Sequence, residues 1–227
     1  MDTRAEIKTR QRNAVNVHPP SLATPHAQLE AALWVPEQAV GVVVLAGEAG
    51  RHRARPTVPC LGGHLSMVLR EARLATLVLG TEPGRDAAPT AESVREACDW
   101  LQGHDATAGL PLGLAGIGEG ASAALQAAAG LGRRLCALVA RSARWEERQA
   151  AEGDAPLARI TAPTLLLAGG LDASGVAGSR RIYAALRCPK RFEILVGATR
   201  AFDECGSVEV VARLVRGWFV QHVHRLA

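Results

Sequence analysis

The chain has 227 residues, of which 48% are hydrophobic and 21% charged, and a formal net charge of +4. This length suits one large α/β domain or two small ones, and the composition excludes disorder, collagen and coiled coil as descriptions of the whole. Lys stands only at Lys8 and Lys190, so the basic excess is nearly all Arg, which by itself is weak ground for nucleic-acid binding.

Residues 1–24 carry Arg4, Lys8, Arg10 and Arg12, contain no apolar signal-peptide core, and end near Pro19-Pro20. They read as a flexible basic tail, with residues 25–227 as a single domain. Leu29, Ala31 and Leu33 alternate with other residues as in a half-buried strand, and Pro36–Gln38 is a turn. Gly41–Ala46 is a continuous apolar run, the pattern of a strand buried on both faces. The longest apolar stretch, around Val40–Ala46, is far shorter than the ~20 residues that cross a bilayer. Strands and helices then alternate. Helices are expected over 64–73, 90–102 (with Thr90 as its N-cap), 120–131, 175–186 and 207–223. Strands are expected over 75–79, 112–115, 135–140, 164–168 and 192–196. Residues 141–157 form the longest irregular stretch, with room for a short surface helix. This order implies an α/β fold, a doubly wound, mostly parallel sheet of about seven or eight strands with helices on both faces. The five cysteines are widely spaced with no C-x-x-C, which fits buried free thiols in a reducing cytoplasm better than disulfides or a zinc site.

Ligands of open α/β sheets bind beyond the carboxyl ends of the strands. The strand around Leu114 runs into Gly116-Ile117-Gly118-Glu119-Gly120 and then directly into a helix. A strand, a G-x-x-x-G turn and a helix have the shape of a nucleophile elbow, whose central residue is raised above the sheet. That residue is Gly118. The same glycines do not fit G-x-G-x-x-G, and no phosphate loop, H-E-x-x-H or carboxylate cluster is present, so neither cofactor nor metal is expected.

With these features the chain resembles the α/β-hydrolase fold, most closely its small, cap-poor members related to dienelactone hydrolases. The resemblance covers residues 27–227. It is carried by the strand at 42–46 with its Gly-rich loop, the elbow at 116–120, the PTLLLAGGLD stretch from Pro163 to Asp172, the VGATRAF stretch from Val196 to Phe202, and the closing helix. It implies an acid position at Asp172, which is retained. It implies a nucleophile position at Gly118, which has no side chain, and a base position at Arg200, where the family pattern G-A-T-H reads Gly197-Ala198-Thr199-Arg200. The oxyanion loop of such relatives carries His-Gly; here Gly47 follows Ala46 and Glu48 stands close to the oxyanion position, opposing anion stabilisation. Gly47, Glu48, Glu119 and Trp145 are the expected pocket residues, and Arg51–Arg55 an anion-binding lip or a solvated loop. An ion pair between Asp172 and Arg200 is expected from the family geometry. Ser122 reads as structural, the cysteines as small core hydrophobes, and His222 and His224 as exposed.

Glycine cannot attack a carbonyl, and an Arg that stays charged cannot accept a proton as His does. The expectation is therefore a cytoplasmic, non-hydrolytic pseudoenzyme whose relic pocket binds a small or anionic ligand, or whose surface binds a protein, with nucleic acid and membrane unlikely partners. The alternatives are a repurposed cyclase, lyase or isomerase using Arg200, Asp172 and Glu119, and an ester or lactone hydrolase with a non-standard nucleophile.

Overall fold

The computed structural model describes residues 31–47, 62–79, 89–145 and 154–223 in full, together with residue 61 and the strand backbones at 15–17, 22–23 and 28–29. Ten strands are described: β1 (Val15–Val17), β2 (Leu22–Ala23), β3 (Gln28–Leu29), β4 (Ala31–Val35), β5 (Gly41–Ala46), β6 (Leu74–Leu79), β7 (Leu112–Ile117), β8 (Leu135–Arg141), β9 (Thr164–Gly169) and β10 (Lys190–Leu195). The helices are α1 (Leu61–Glu71), α2 (Ala91–Gly103), α3 (Gly120–Leu131), α4 (Ala155–Ala158), α5 (Ala173–Ala185) and α6 (Ser207–Val223).

Eight strands form one sheet in the order β1-β4-β6-β5-β7-β8-β9-β10, and β2 pairs with β3 alone. The β1–β4 and β4–β6 pairs are antiparallel, and the other neighbours in this sheet are parallel. β1 takes up residues 15–17, inside the segment that reads as a tail. Its three residues give too short an alternation to be seen beside the surrounding charge.

Period-two alternation splits β5 between two cores. Val42, Val44 and Ala46 face the cluster covered by α2, α3, α4 and α5, while Val43 and Leu45 face the one covered by α1 and α6. Both faces are covered, so β5, β7, β8 and β9 are buried throughout. The α2 N-terminus is set by Thr90, whose hydroxyl accepts from Ser93 N–H at 3.2 Å. No helix among the described residues is long and apolar enough to cross a membrane.

After β5 the chain passes to β6 on one side, then returns to β7 on the other. The strand order therefore reverses between β5 and β7, and the crevice beyond their carboxyl ends is where a doubly wound sheet receives its ligand. Gly47 and Gly118 stand at that point.

Candidate functional site

Among the described residues, the elbow turn is held by backbone hydrogen bonds. Gly118 has φ +58°, its N–H donates to Arg141 O at 3.1 Å, and its carbonyl accepts from Ala121 N–H at 3.2 Å. Two glycines let β5 touch this turn. A Cβ on Gly120 would lie 2.3 Å from Ala46 O, and one on Gly47, at φ +100°, 2.3 Å from Ile117 O. Any other residue at either position drives carbon into backbone oxygen. The turn thus has the shape expected from the sequence, with Gly118 buried at its tip and Glu119 exposed beside it. The Glu119 side chain makes no capping bond to α3. Glu48 and the Arg51–Arg55 run lie outside the described residues.

Asp172 follows β9 and is the N-cap of α5. Its Oδ1 accepts from Gly175 N–H at 3.0 Å and from Ser174 Oγ–H at 2.9 Å. Its Oδ2 is buried without a hydrogen bond and sits 2.2 Å from where a Cβ on residue 175 would be, so glycine there admits the carboxylate. The expected ion pair with Arg200 is absent, and this corrects the sequence reading. The orphan N–H groups of the first helical turn are nearer partners and claim the carboxylate. The half-buried Arg200 side chain makes no ion pair or hydrogen bond with any described residue.

The loop that carries Arg200 is gripped from below by Arg141, which the sequence reading passed over. Arg141 ends β8 and is 2% exposed. Its Nη1 donates to Arg200 O at 2.6 Å, and its guanidinium lies 5.0 Å from the centre of the Phe202 ring. Phe202 is fully buried at φ +58°, a conformation a bulky residue adopts only when its surroundings impose it. From above, Glu204 Oε1 accepts from Thr199 N–H at 2.7 Å, and Thr199 Oγ1–H donates to Asp203 at 3.2 Å. Hydrogen bonding from Thr199, through its side chain first and then its backbone, holds the Glu204 carboxyl below the ordinary carboxylate range. The one local signal for Arg141 was a charge placed directly after six apolar residues, at a strand's carboxyl end.

Trp145, expected at the pocket, is 5% exposed and belongs to the larger core cluster, its Nε1 buried without a partner. Ser122 is structural, its Oγ–H donating to Arg144 O at 2.5 Å. His222, expected in solvent, is 5% exposed; its Nδ1–H donates to Trp218 O at 2.7 Å and its ring lies 4.4 Å from that indole. An i, i+4 contact on the buried stripe of α6 explains this. Burial pushes the thiols of Cys98 and Cys136 up to about 12 and about 11, whereas Cys205 is exposed and not a core residue.

Solved structures share this architecture. Dienelactone hydrolase from Anabaena variabilis superimposes with a TM-score of 0.78 at 28% identity, over 92% of this chain and 98% of that one. The esterase domain of a Rhodothermus marinus protein gives 0.72 at 16% identity, over 93% and 98%. Est1E from Butyrivibrio proteoclasticus gives 0.71 at 15%, over 93% and 99%. The protein has the α/β-hydrolase fold, in its dienelactone-hydrolase-like form. No protein-family model matches the sequence. Among curated proteins, the chain is 34% identical over 202 residues to Mycobacterium tuberculosis proteins named "Putative phosphoribosyl transferase" (MT0597 and Rv0571c). The match covers 84% of this chain but 43% of theirs, so the chain spans less than half the length of these relatives.

Proposed function

We propose that the protein keeps the hydrolase scaffold without ester hydrolysis and uses the crevice between β5 and β7 to hold an anionic small molecule. The observation that carries this reading is Gly118. At the elbow tip, where a hydrolase raises its attacking side chain, there is only backbone, and backbone supplies no nucleophile. Arg200 follows β10 in the base position, where a guanidinium does not serve as a proton acceptor as an imidazole does, and Asp172 is engaged as a helix cap. Losing the nucleophile or the base of such a triad costs about a millionfold in turnover. Among the described residues, this end of the sheet carries a cationic side chain without an ionic partner. The Arg200 guanidinium has no carboxylate partner among the described residues, and Arg141 lies beneath its loop. The Arg200 guanidinium favours a carboxylate or phosphate as ligand. The activity in the name of the mycobacterial relatives belongs, in this reading, to the part of their length that this chain does not span.

Assay of the purified chain with short nitrophenyl esters and simple lactones should give no turnover above a buffer blank. Turnover that disappears when one Ser, Cys or Glu is substituted would overturn the reading and identify a replacement nucleophile. The elbow keeps its backbone turn, with Gly118 at φ +58°. Gly118→Ser with Arg200→His should therefore gain labelling by an organophosphonate probe that leaves the unaltered protein untouched.

A further inference from the structure

β10 closes one side of the sheet, and among the described residues no strand pairs beyond it. Among the strands whose side chains are described, it alone has no buried residue. Its backbone faces can be assigned. Thr164 N–H donates to Pro189 O at 2.9 Å and Gly170 N–H to Leu195 O at 2.7 Å, so the odd-numbered residues turn their N–H and C=O toward β9. Lys190, Phe192 and Ile194 therefore aim theirs at the open edge. An unpaired edge of this kind is a template for another strand.

The surroundings of this edge are apolar. Of the five large hydrophobic side chains exposed among the described residues, Leu171, Tyr183, Ile194 and Val196 stand on or beside it, Val196 at 96% exposure. The Tyr183 ring lies 6.5 Å from Phe192, and Leu171 N–H donates to Ala198 O just past the strand. Grouped exposed apolar residues mark an interaction surface more often than scattered ones do.

The charges select what pairs there. Two antiparallel copies of β10 related by a twofold axis through Phe192 place Phe192 opposite itself and Lys190 opposite the partner's Ile194. All of these are residues whose backbone groups point outward, so each exchanges both hydrogen bonds with its opposite. The intervening Arg191 then stands opposite the partner's Glu193, in the close, non-hydrogen-bonded position, and the reverse pair repeats it. Arg191 and Glu193 already form an ion pair within the strand, so the two copies close a ring of four alternating charges. A slip of two residues either way puts Arg191 or Glu193 opposite its own copy, and like charges there repel. A slip of one residue sets outward-facing groups against inward-facing ones and breaks the ladder.

We propose that β10 is a self-pairing edge, joining a second copy of this chain antiparallel about an axis through Phe192 into one continuous sheet. Val196 leads directly into the loop bearing Arg200, so the interface adjoins the candidate site. Sedimentation equilibrium of the full chain should give twice its 23.9 kDa mass in the micromolar range. Ile194→Pro removes an outward N–H and none from the β9 ladder, and should give a folded monomer by mass and circular dichroism. Glu193→Arg should also lose the dimer, and Arg191→Glu combined with Glu193→Arg should regain it. A single-chain mass at every concentration overturns the proposal, whichever other partner covers the edge. So does a dimer that survives Ile194→Pro. A dimer indifferent to the single charge reversal overturns the assigned register.

Discussion

The elbow between β7 and α3 and the two loops after β9 and β10 differ in what they retain. At the elbow the backbone has the shape of a nucleophile turn, while its tip carries no side chain. In the other two loops the side chains remain, and they hold the structure together. Asp172 caps α5, Glu204 ties Thr199, and Arg141 reaches under Phe202 from β8. The elbow is fixed by contacts of backbone with backbone, in which the identity of the tip residue plays no part. The loops are fixed by side chains, so folding by itself constrains their composition. The shape of the switch point of such a sheet does not by itself fix what the site does.

The largest expected effect tests whether backbone contact is what holds the elbow. Gly47→Ala places a Cβ 2.3 Å from Ile117 O at φ +100°, and neither strand can give way. A cost of about 3 kcal/mol, at the upper end for overpacking, is expected. Gly197 also has a positive φ, +78°, but a Cβ there meets nothing within 4 Å. Gly197→Ala should cost about 1 kcal/mol, the left-handed penalty alone. Urea unfolding at unchanged m-value measures both. Equal costs would mean that the elbow is no more tightly built than the loop after β10.

The second prediction separates the two loop residues that the family geometry would pair. Asp172→Ala should cost about 1 kcal/mol, as loss of an N-cap does, and Asp172→Ser should recover most of it. Arg200→Ala should stay within about 0.5 kcal/mol, since its side chain has no partner to abandon. An ion pair between them would make both changes costly, and a double variant less costly than the sum.

These residues also show how far sequence alone reaches. The helices over 120–131 and 207–223 lie where their periodicity puts them, and Thr90 caps α2 as its position before an apolar stripe suggests. Local spacing decides such features. The elbow was legible because its glycines sit at fixed offsets between a strand and a helix. Arg141 was not, because its partners are Arg200 and Phe202, about sixty residues further along the chain, and only the β8-β9-β10 register brings them near. Asp172 was legible as a carboxylate at the right place but not in its employment. A capping bond to Gly175 and an ion pair to Arg200 use the same residue type, and competition between them is settled in three dimensions.

The smallest effect concerns acid. Hydrogen bonds from Thr199 favour the ionised Glu204 carboxylate, so its folded value lies below that of the unfolded chain, which is about 4.3. In the window between the two values the unfolded state binds the proton more readily than the native state does. Stability therefore falls as pH falls through that window. The contribution is fully present above the unfolded value and gone once pH has dropped beneath the folded one. Glu204→Gln keeps an oxygen acceptor for Thr199 N–H but cannot ionise, so it carries no such dependence. Thermal midpoints of the two proteins should differ most near neutrality, with the unaltered chain the more stable. They should approach one another as the solution is taken below pH ~4.3. The side chain is partly in water, so the gap should be modest and should shrink in salt. A gap that stays constant through the acid range would mean that the Glu204 carboxylate does not hold the loop bearing Arg200, and that Arg141 and Phe202 hold it from beneath.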